Sequence, residues 1–272
     1  MDLYRIFLPL SSNFFQHDEE YSERLPGPAL APYVRCFWGT AGARLRRFGG
    51  DLVIPDTCMD LIFEINYTTN AVRSRFCALD DSAYQTAPSH SNELCTTFGI
   101  RFYAWSAVCF AEDSLSDSMR TVFDPMQFFP KLCRAIEPVL PELPTLSARA
   151  QFAETTLLAA LKPDRMRPDA LNALYAMIAR RGSMRTREIA AAACLSERQL
   201  ERTLRAATGA PPKMLSSLIR HQLVYRALVE GRFDPMDAVA RFGYADQSHL
   251  IRDFRRFHSM TPNEALKRIR AR

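Results

Sequence analysis

Residues 186–205 read Thr-Arg-Glu-Ile-Ala-Ala-Ala-Ala-Cys-Leu-Ser-Glu-Arg-Gln-Leu-Glu-Arg-Thr-Leu-Arg, and residues 238–256 read Ala-Val-Ala-Arg-Phe-Gly-Tyr-Ala-Asp-Gln-Ser-His-Leu-Ile-Arg-Asp-Phe-Arg-Arg. Each segment has the pattern of a helix, a tight turn and a second helix. An apolar-periodic segment from Pro212 to Glu230 joins them and predicts one long helix. Two helix-turn-helix units connected in this way are typical of proteins that contact two consecutive segments of the DNA major groove.

The first unit carries clear helix-boundary signals. Ser196 is a good N-cap, and Gln199 three residues later completes a capping-box pattern. Gly209 has the position of a C-cap glycine. Leucines at helical spacing predict a buried face, which leaves the opposite face to side chains that can bind guanine or cytosine. These outward residues are Arg198, Glu201, Arg202 and Arg205. Taken alone, this unit is explained equally well as an ordinary helix with a solvated charged face.

The second unit repeats the arrangement. Gly243 supplies the turn, Asp246 can cap the next helix, and Leu250 and Phe254 face inward by spacing. Glutamine can bind adenine, and an isoleucine can contact a thymine methyl, although Ile251 is also consistent with packing at a domain edge. The outward residues are Gln247, Ser248, Ile251, Arg252 and Arg255, and we expect Arg255 and Arg256 to reach phosphates.

Several motifs of this stretch occur together in one known family. They are Ile189-Ala190, Leu195-Ser196, Gly209 followed by Pro212, Ala240-Arg-Phe-Gly-Tyr244, Asp246-Gln-Ser-His-Leu250, Phe254-Arg-Arg256 and Met260-Thr-Pro262. Through them residues 170–268 resemble the DNA-binding domain of the AraC/XylS family of bacterial transcription regulators. The resemblance implies seven helices, two of them recognition helices joined by a rigid central helix. Ser259 departs from the family, which commonly has glycine at this position.

The charge distribution divides the chain into two modules. Residues 163–272 contain 21 Lys and Arg against 11 Asp and Glu, whereas residues 1–162 contain 14 against 19. A basic excess confined to the helix-turn-helix half is the electrostatic signature of phosphate contact. The seven cysteines are odd in number and lack Cys-x-x-Cys spacing, so we expect reduced and mostly buried thiols.

The N-terminal half has short β-branched and aromatic runs that predict an antiparallel barrel or sandwich, followed by a helical pattern from Ser114. The predicted strands are 33–38, 52–56, 60–66, 73–79 and 96–102. Leu30-Ala-Pro-Tyr-Val34, Ile54-Pro-Asp56, Asp60-Leu-Ile-Phe63 and Gly99-Ile-Arg-Phe102 make this half similar to the cupin-like N-terminal domain of one group of AraC-type regulators. Thr57 stands where that group commonly has glycine, so no effector-binding residue is carried over.

The domain boundaries follow from these patterns. We expect an α+β chain: a cupin-like antiparallel β-barrel with flanking helices at 1–146, a helix and linker at 147–168, and an all-α double helix-turn-helix domain at 169–272. Ser147–Leu161 carries an apolar stripe that either packs within the chain or dimerises, as a helix here commonly does in this family. Two prolines between 163 and 168 mark the linker.

The predicted function is DNA-binding transcription regulation without catalysis, cofactor or metal. A cupin-class enzyme and a cysteine-based sensor or repair activator fused to a DNA-binding domain are the alternatives. The expected partners are double-stranded promoter or operator DNA and, as open alternatives, RNA polymerase, a small-molecule effector and a second copy of the chain. No signal peptide or apolar span is evident, so we expect a cytoplasmic protein without membrane contact.

Overall fold

A computed structural model of the chain describes residues 2–10, 21–40, 42–48, 52–85, 89–120 and 122–270. A sheet-rich N-terminal domain precedes an all-helical C-terminal domain, which confirms the predicted fold class. The strands are β1 (Tyr21–Arg24), β2 (Val34–Thr40), β3 (Arg44–Phe48), β4 (Leu52–Val53), β5 (Cys58–Asn66), β6 (Ala71–Cys77), β7 (Tyr84–Gln85), β8 (Ser89–Tyr103) and β9 (Val122–Phe123). The helices are α1 (Leu3–Ile6), α2 (Pro130–Ile136), α3 (Leu146–Ala160), α4 (Pro168–Ala179), α5 (Thr186–Ala192), α6 (Glu197–Thr208), α7 (Pro212–Val229), α8 (Pro235–Arg241), α9 (Gln247–His258) and α10 (Pro262–Arg270).

The N-terminal domain is organised around β8, which pairs antiparallel with β2, β3 and β5. The main sheet runs in the order β1-β2-β8-β5-β6-β9, and β4 and β7 form a separate ladder. Strands β1 and β9 lie at the two edges of the main sheet. The described strands therefore form an open sheet, whereas the sequence predicted a barrel. Alternate aromatic side chains of the central strands form the core, with Phe98 stacked between Phe37 and Phe63 at 6.2 Å from each ring.

The predicted helical pattern from Ser114 is wrong for the described residues 114–120 and 122–123. Asp117 and Arg120 both adopt positive φ, which no helix interior tolerates, and a short strand, β9, follows. Leu115 is fully buried although it lies in this loop, because it packs against the C-terminal domain. Leu115 is therefore used for a contact between domains, whereas Phe123 packs on Phe128 within the N-terminal domain and Val122 is exposed.

Helix α3 corresponds to the predicted helix before the linker. Ala150, Ala153 and Leu157 are fully buried, and α3 packs against α2 and β2. The apolar stripe is therefore used within the chain. A dimer contact through α3 would have to use its outer side, where Leu158 is 45% exposed.

The C-terminal domain contains two helix-turn-helix units, α5–α6 and α8–α9, placed on either side of α7. Most of α7 is buried, including polar side chains such as Gln222. A central helix surrounded in this way cannot bend without disrupting both units, so it fixes their relative position.

The N-terminal domain also contacts α7 and the second unit. Leu52 and Ile54 pack into the same apolar cluster as Val224 and Leu228 of α7. Gln222 Nε2 donates to the Pro55 carbonyl at 3.2 Å. None of the helices in the described ranges has both the length and the apolar character that a membrane span requires.

Candidate nucleic-acid interface

Helix α6 is capped at both ends. Ser196 Oγ accepts the N–H of Gln199 at 3.2 Å, and Gln199 Oε1 accepts the N–H of Ser196 at 2.9 Å. These reciprocal bonds form the predicted capping box. At the other end Gly209 adopts φ +72°, and its N–H donates to the Arg205 carbonyl at 2.8 Å. The caps fix the first and last turns of α6 and hence the side chains that project from them.

The outward face of α6 carries its four candidate residues. Arg198 and Arg202 are exposed, whereas Glu201 and Arg205 are half-buried. Arg205 Nε lies 3.0 Å from Glu201 Oε1 in an ion pair. A pair with this spacing on a helix contributes only about 0.2–0.5 kcal/mol, so either side chain can exchange its partner for a nucleic-acid group at little cost.

A cleft of about 600 Å³ runs beside α6. Its lining includes Arg198, Arg202 and Arg205 from α6, and Ser116 and Asp117 from the N-terminal domain. The candidate base-contacting arginines therefore face open space, but an aspartate of the other domain shares that space with them.

Helix α9 is also capped at both ends. Asp246 Oδ1 accepts the N–H of His249 at 2.7 Å. At the C-terminus Ser259 adopts φ +55°, and its N–H donates to the Arg255 carbonyl at 2.8 Å. The residue that departs from the family thus keeps the left-handed conformation of a C-cap glycine, at a cost of about 1 kcal/mol for a residue with a Cβ.

The outward face of α9 is exposed along its length. Leu250 and Phe254 are buried, as predicted from their spacing. Ile251 is 36% exposed, so it does not belong to the core. All of the predicted outward residues are exposed: Gln247, Ser248, Ile251, Arg252 and Arg255.

Arg256 is exposed too, but its guanidinium is already bound. Its Nη2 donates to Asp81 Oδ2 at 2.6 Å, and its Nε donates to the Asp81 carbonyl at 2.8 Å. Asp81 belongs to the N-terminal domain, between β6 and β7. Arg256 therefore differs from the other candidate DNA-binding residues. Among the described hydrogen bonds and ion pairs, none of those residues contacts an acidic group of the N-terminal domain.

An ion pair that the sequence did not indicate positions α9 on α7. Arg220 Nη2 lies 2.9 Å from Asp253 Oδ2, and the Arg220 guanidinium lies over the Tyr244 ring, 4.4 Å from its centroid. Both charged side chains are largely buried. Breaking such a pair leaves an uncompensated buried charge, so Arg220 and Asp253 fix the position of α9 on α7.

Two buried histidines, His221 of α7 and His258 of α9, form a second contact between these helices. His258 Nδ1 lies 2.9 Å from His221 Nε2, and the His258 ring stacks on Phe254 at 4.3 Å. Burial lowers the pKa of His221 to about 3, and burial followed by the neighbouring imidazole lowers the pKa of His258 well below its usual value. Both rings are therefore neutral at physiological pH, as one donor and one acceptor.

The cysteines agree with the expectation of reduced, mostly buried thiols. All seven are free, and only Cys194 is exposed. Burial raises the pKa of the Cys36, Cys109 and Cys133 thiols to about 12, which keeps them protonated and unreactive.

The turns of the two helix-turn-helix units have the same backbone conformation. Cys194 lies at the turn of the first unit with φ +57°, and Gly243 lies at the turn of the second with φ +68°.

Comparison with known proteins agrees with this geometry. Residues 189–268 match the family described as "Helix-turn-helix domain", of the AraC type. This segment is therefore an AraC-type helix-turn-helix domain. In the N-terminal half, residues 22–124 match a "Domain of unknown function (DUF6597)". Among curated proteins no sequence matches the chain.

Solved structures of ToxT from Vibrio cholerae are similar to this chain over most of its length. An apo ToxT variant has a TM-score of 0.43 at 11% identity and covers 90% of this chain and 100% of its own. A 1.65 Å structure of ToxT has a TM-score of 0.42 at 12% identity and covers 92% and 99%. These likenesses are weak, and the AraC-type assignment of residues 189–268 rests on the match to the helix-turn-helix family.

Proposed function

We propose that the chain is a sequence-specific transcription regulator that places α6 and α9 in two consecutive segments of the major groove of double-stranded DNA. The proposal rests on two arginines that occupy the same position in their respective helices. Arg202 and Arg252 each lie six residues after the N-cap of their helix, and both are exposed. Helices α6 and α9 both pack against one buried helix, α7, which fixes the position of the two arginines relative to each other.

The proposed roles depend on position along each recognition helix. Side chains of the first turns reach base edges when a helix enters the groove by its N-terminal half. These are Arg198, Glu201 and Arg202 of α6, and Gln247, Ser248, Ile251 and Arg252 of α9. Arginines further along reach phosphates, which position the protein without specifying sequence. These are Arg205, Arg255 and Arg256.

Selection of bound duplexes from a random pool tests this function with the full chain. We expect a bipartite site whose two halves lie about one DNA turn apart, near 34 Å, because α7 sets the separation of the helices. Affinity should fall steeply as salt rises, since cations condensed on the DNA are released on binding. Enrichment of one undivided half-site, or of no sequence at all, would contradict the proposal.

We further propose that the N-terminal domain senses an anionic effector. Arg101 on β8 binds the Asp60 carboxylate through two bonds of 2.9 and 3.0 Å, and Trp38 Nε1 donates to Asp60 at 2.8 Å. The Arg101 Nη1 atom is buried and has no hydrogen-bond partner among the described residues. Burial raises the pKa of Asp56 to about 6, against the opposing effect of Arg101. The Arg101 guanidinium also lies over the Trp38 ring, 5.7 Å from its centroid. A buried guanidinium donor beside an aromatic ring is a group that can orient a small organic acid.

Thermal melting of the full chain tests this second role. Small organic acids are compared with their uncharged amides, because only the acids would engage the guanidinium. An acid that binds should raise the melting temperature by mass action and change DNA affinity in the same concentration range. Equal shifts for acids and amides would argue against a site built on Arg101.

A further inference from the structure

Two loops of the N-terminal domain touch the two recognition helices. In residues 114–120, the Leu115 N–H donates to the Ala206 carbonyl of α6 at 3.0 Å. In residues 79–83, the Ala83 N–H donates to the Arg256 carbonyl of α9 at 3.1 Å. The Arg120 N–H donates to the Leu79 carbonyl at 3.0 Å, which joins the two loops. Both helix-turn-helix units therefore rest on one connected part of the N-terminal domain.

Asp81 is the charged centre of this contact. Its side chain is only 7% exposed, and Oδ2 accepts hydrogen bonds from both the Arg120 and the Arg256 guanidinium groups. The Asp81 backbone carbonyl accepts a further bond from Arg256 Nε. Arg256 thus makes a two-pronged contact with a single residue across the domain boundary. Its side chain is still 45% exposed, so it remains accessible from solvent.

The same guanidinium is suited to bind DNA. Arg256 follows Arg252 by four residues, so both project from the same side of α9. The fork of N–H groups with which arginine binds a carboxylate is also the fork with which it binds a phosphate. While Asp81 holds Nε and Nη2, these donors are not free for a phosphate. A phosphate brought to this place would also be repelled by the Asp81 carboxylate.

We propose that Asp81 is an electrostatic latch: it occupies Arg256 in place of a DNA phosphate, so that the N-terminal domain restrains DNA binding until the contact opens. The inference rests on the proposed function, since it concerns the regulation of the same DNA-binding face. Asp117 places a second carboxylate in the cleft beside Arg198 and Arg202, where it opposes phosphates near the first recognition helix.

A double-mutant cycle in the full chain tests the latch. The variants are Asp81→Asn, Arg256→Ala and the double variant, with Glu142→Gln as the control because it removes one exposed negative charge of the same domain. Affinity is measured for one selected duplex at fixed salt, and folding is checked by thermal melting. Asp81→Asn should raise affinity about tenfold, within the usual range of coupling between sites. It should have almost no effect in the Arg256→Ala background, where no guanidinium remains to be released.

The other outcomes overturn the latch. If Asp81→Asn lowers affinity or unfolds the chain, Asp81 supports the structure and does not restrain it. If Asp81→Asn and Glu142→Gln raise affinity equally, or if the gain persists in the Arg256→Ala background, the effect is one of overall charge. If the wild type binds and Asp81→Asn changes nothing, the latch is wrong while the proposed function stands. If neither binds any duplex, the proposed function fails and the latch with it.

Discussion

At the scale of single residues, we propose that position along a helix separates base contacts from phosphate contacts. Arg202 lies in the middle of the exposed face of α6, whereas Arg255 lies in the last turn of α9. Arg202→Ala should cost about 1–3 kcal/mol on the selected site and relax preference at one or two base pairs. Arg255→Ala should weaken binding to all sequences alike and flatten the salt dependence by about one unit. Selection experiments and salt titrations on both variants measure the difference. A full sequence preference in Arg202→Ala, with an altered one in Arg255→Ala, would reverse the two roles.

Ser259 offers a test of backbone strain. Glycine adopts a φ of +55° without strain, whereas the Cβ of serine raises the conformational energy of the folded state at this φ. Ser259→Gly should therefore raise the free energy of unfolding by about 0.5–1 kcal/mol, after the larger chain entropy of unfolded glycine is subtracted. The matched control is Ser248→Gly, the same change inside α9, which should lower it by about 0.5 kcal/mol. Urea unfolding of both variants provides the comparison, and a loss of stability in Ser259→Gly would refute the strain.

At the scale of elements, capping signals made the recognition helices predictable from sequence. Ser196 with Gln199, and Asp246, mark helix starts through local contacts that need no tertiary information. The segment after Ser114 was wrongly predicted to be helical, because its apolar residues follow a helical spacing. Leu115 is instead buried in an apolar cluster that includes residues of the C-terminal domain. The ion pair between Arg220 and Asp253 could not be predicted from the sequence either. The two residues lie 33 positions apart, and they meet only because of the way in which α7 and α9 cross.

The contact between α7 and α9 predicts a pH dependence. His221 and His258 are buried and neutral, and burial lowers the pKa of His221 to about 3. An unfolded histidine titrates near 6.5, so between these values the unfolded chain binds more protons than the folded chain. The contribution of the two histidines to stability should be level above about pH 6.5 and should fall below it, by about 1.4 kcal/mol per pH unit for each extra proton that the unfolded chain binds.

Unfolding free energies measured between pH 5 and 7.5 check this expectation. His221→Gln should reduce the slope below pH 6.5, because one of the two buried titrating groups is gone. His249→Gln is the matched control, since His249 of the same domain is 35% exposed in its side chain. The change of slope in His221→Gln should exceed any change in His249→Gln. Equal slopes in the wild type and His221→Gln would exclude the buried pair as the cause.

At the scale of the whole molecule, composition suggested two independent modules, and the structure couples them. The charge asymmetry separates a basic segment from an acidic one, but charge counts carry no information about which surfaces of the two segments are in contact. The meeting surfaces include Leu52 and Ile54 against α7, and Asp81 against Arg256. The cupin-like resemblance likewise indicated a sheet-rich domain without showing that two of its loops rest on the recognition helices.

This coupling should make the two domains unfold together. Leu115 is fully buried at the boundary and shares one apolar cluster with both domains. The wild type should therefore show a single calorimetric transition whose calorimetric and van't Hoff enthalpies agree. Leu115→Ala removes the apolar contact at a cost of about 2–4 kcal/mol and should split the transition in two. Leu132→Ala makes a similar cavity inside the N-terminal domain, where Leu132 is 1% exposed, and should lower the melting temperature without splitting the transition. If Leu115→Ala behaves like Leu132→Ala, the domains are held together elsewhere, and the loop at 114–120 is not the element that couples them.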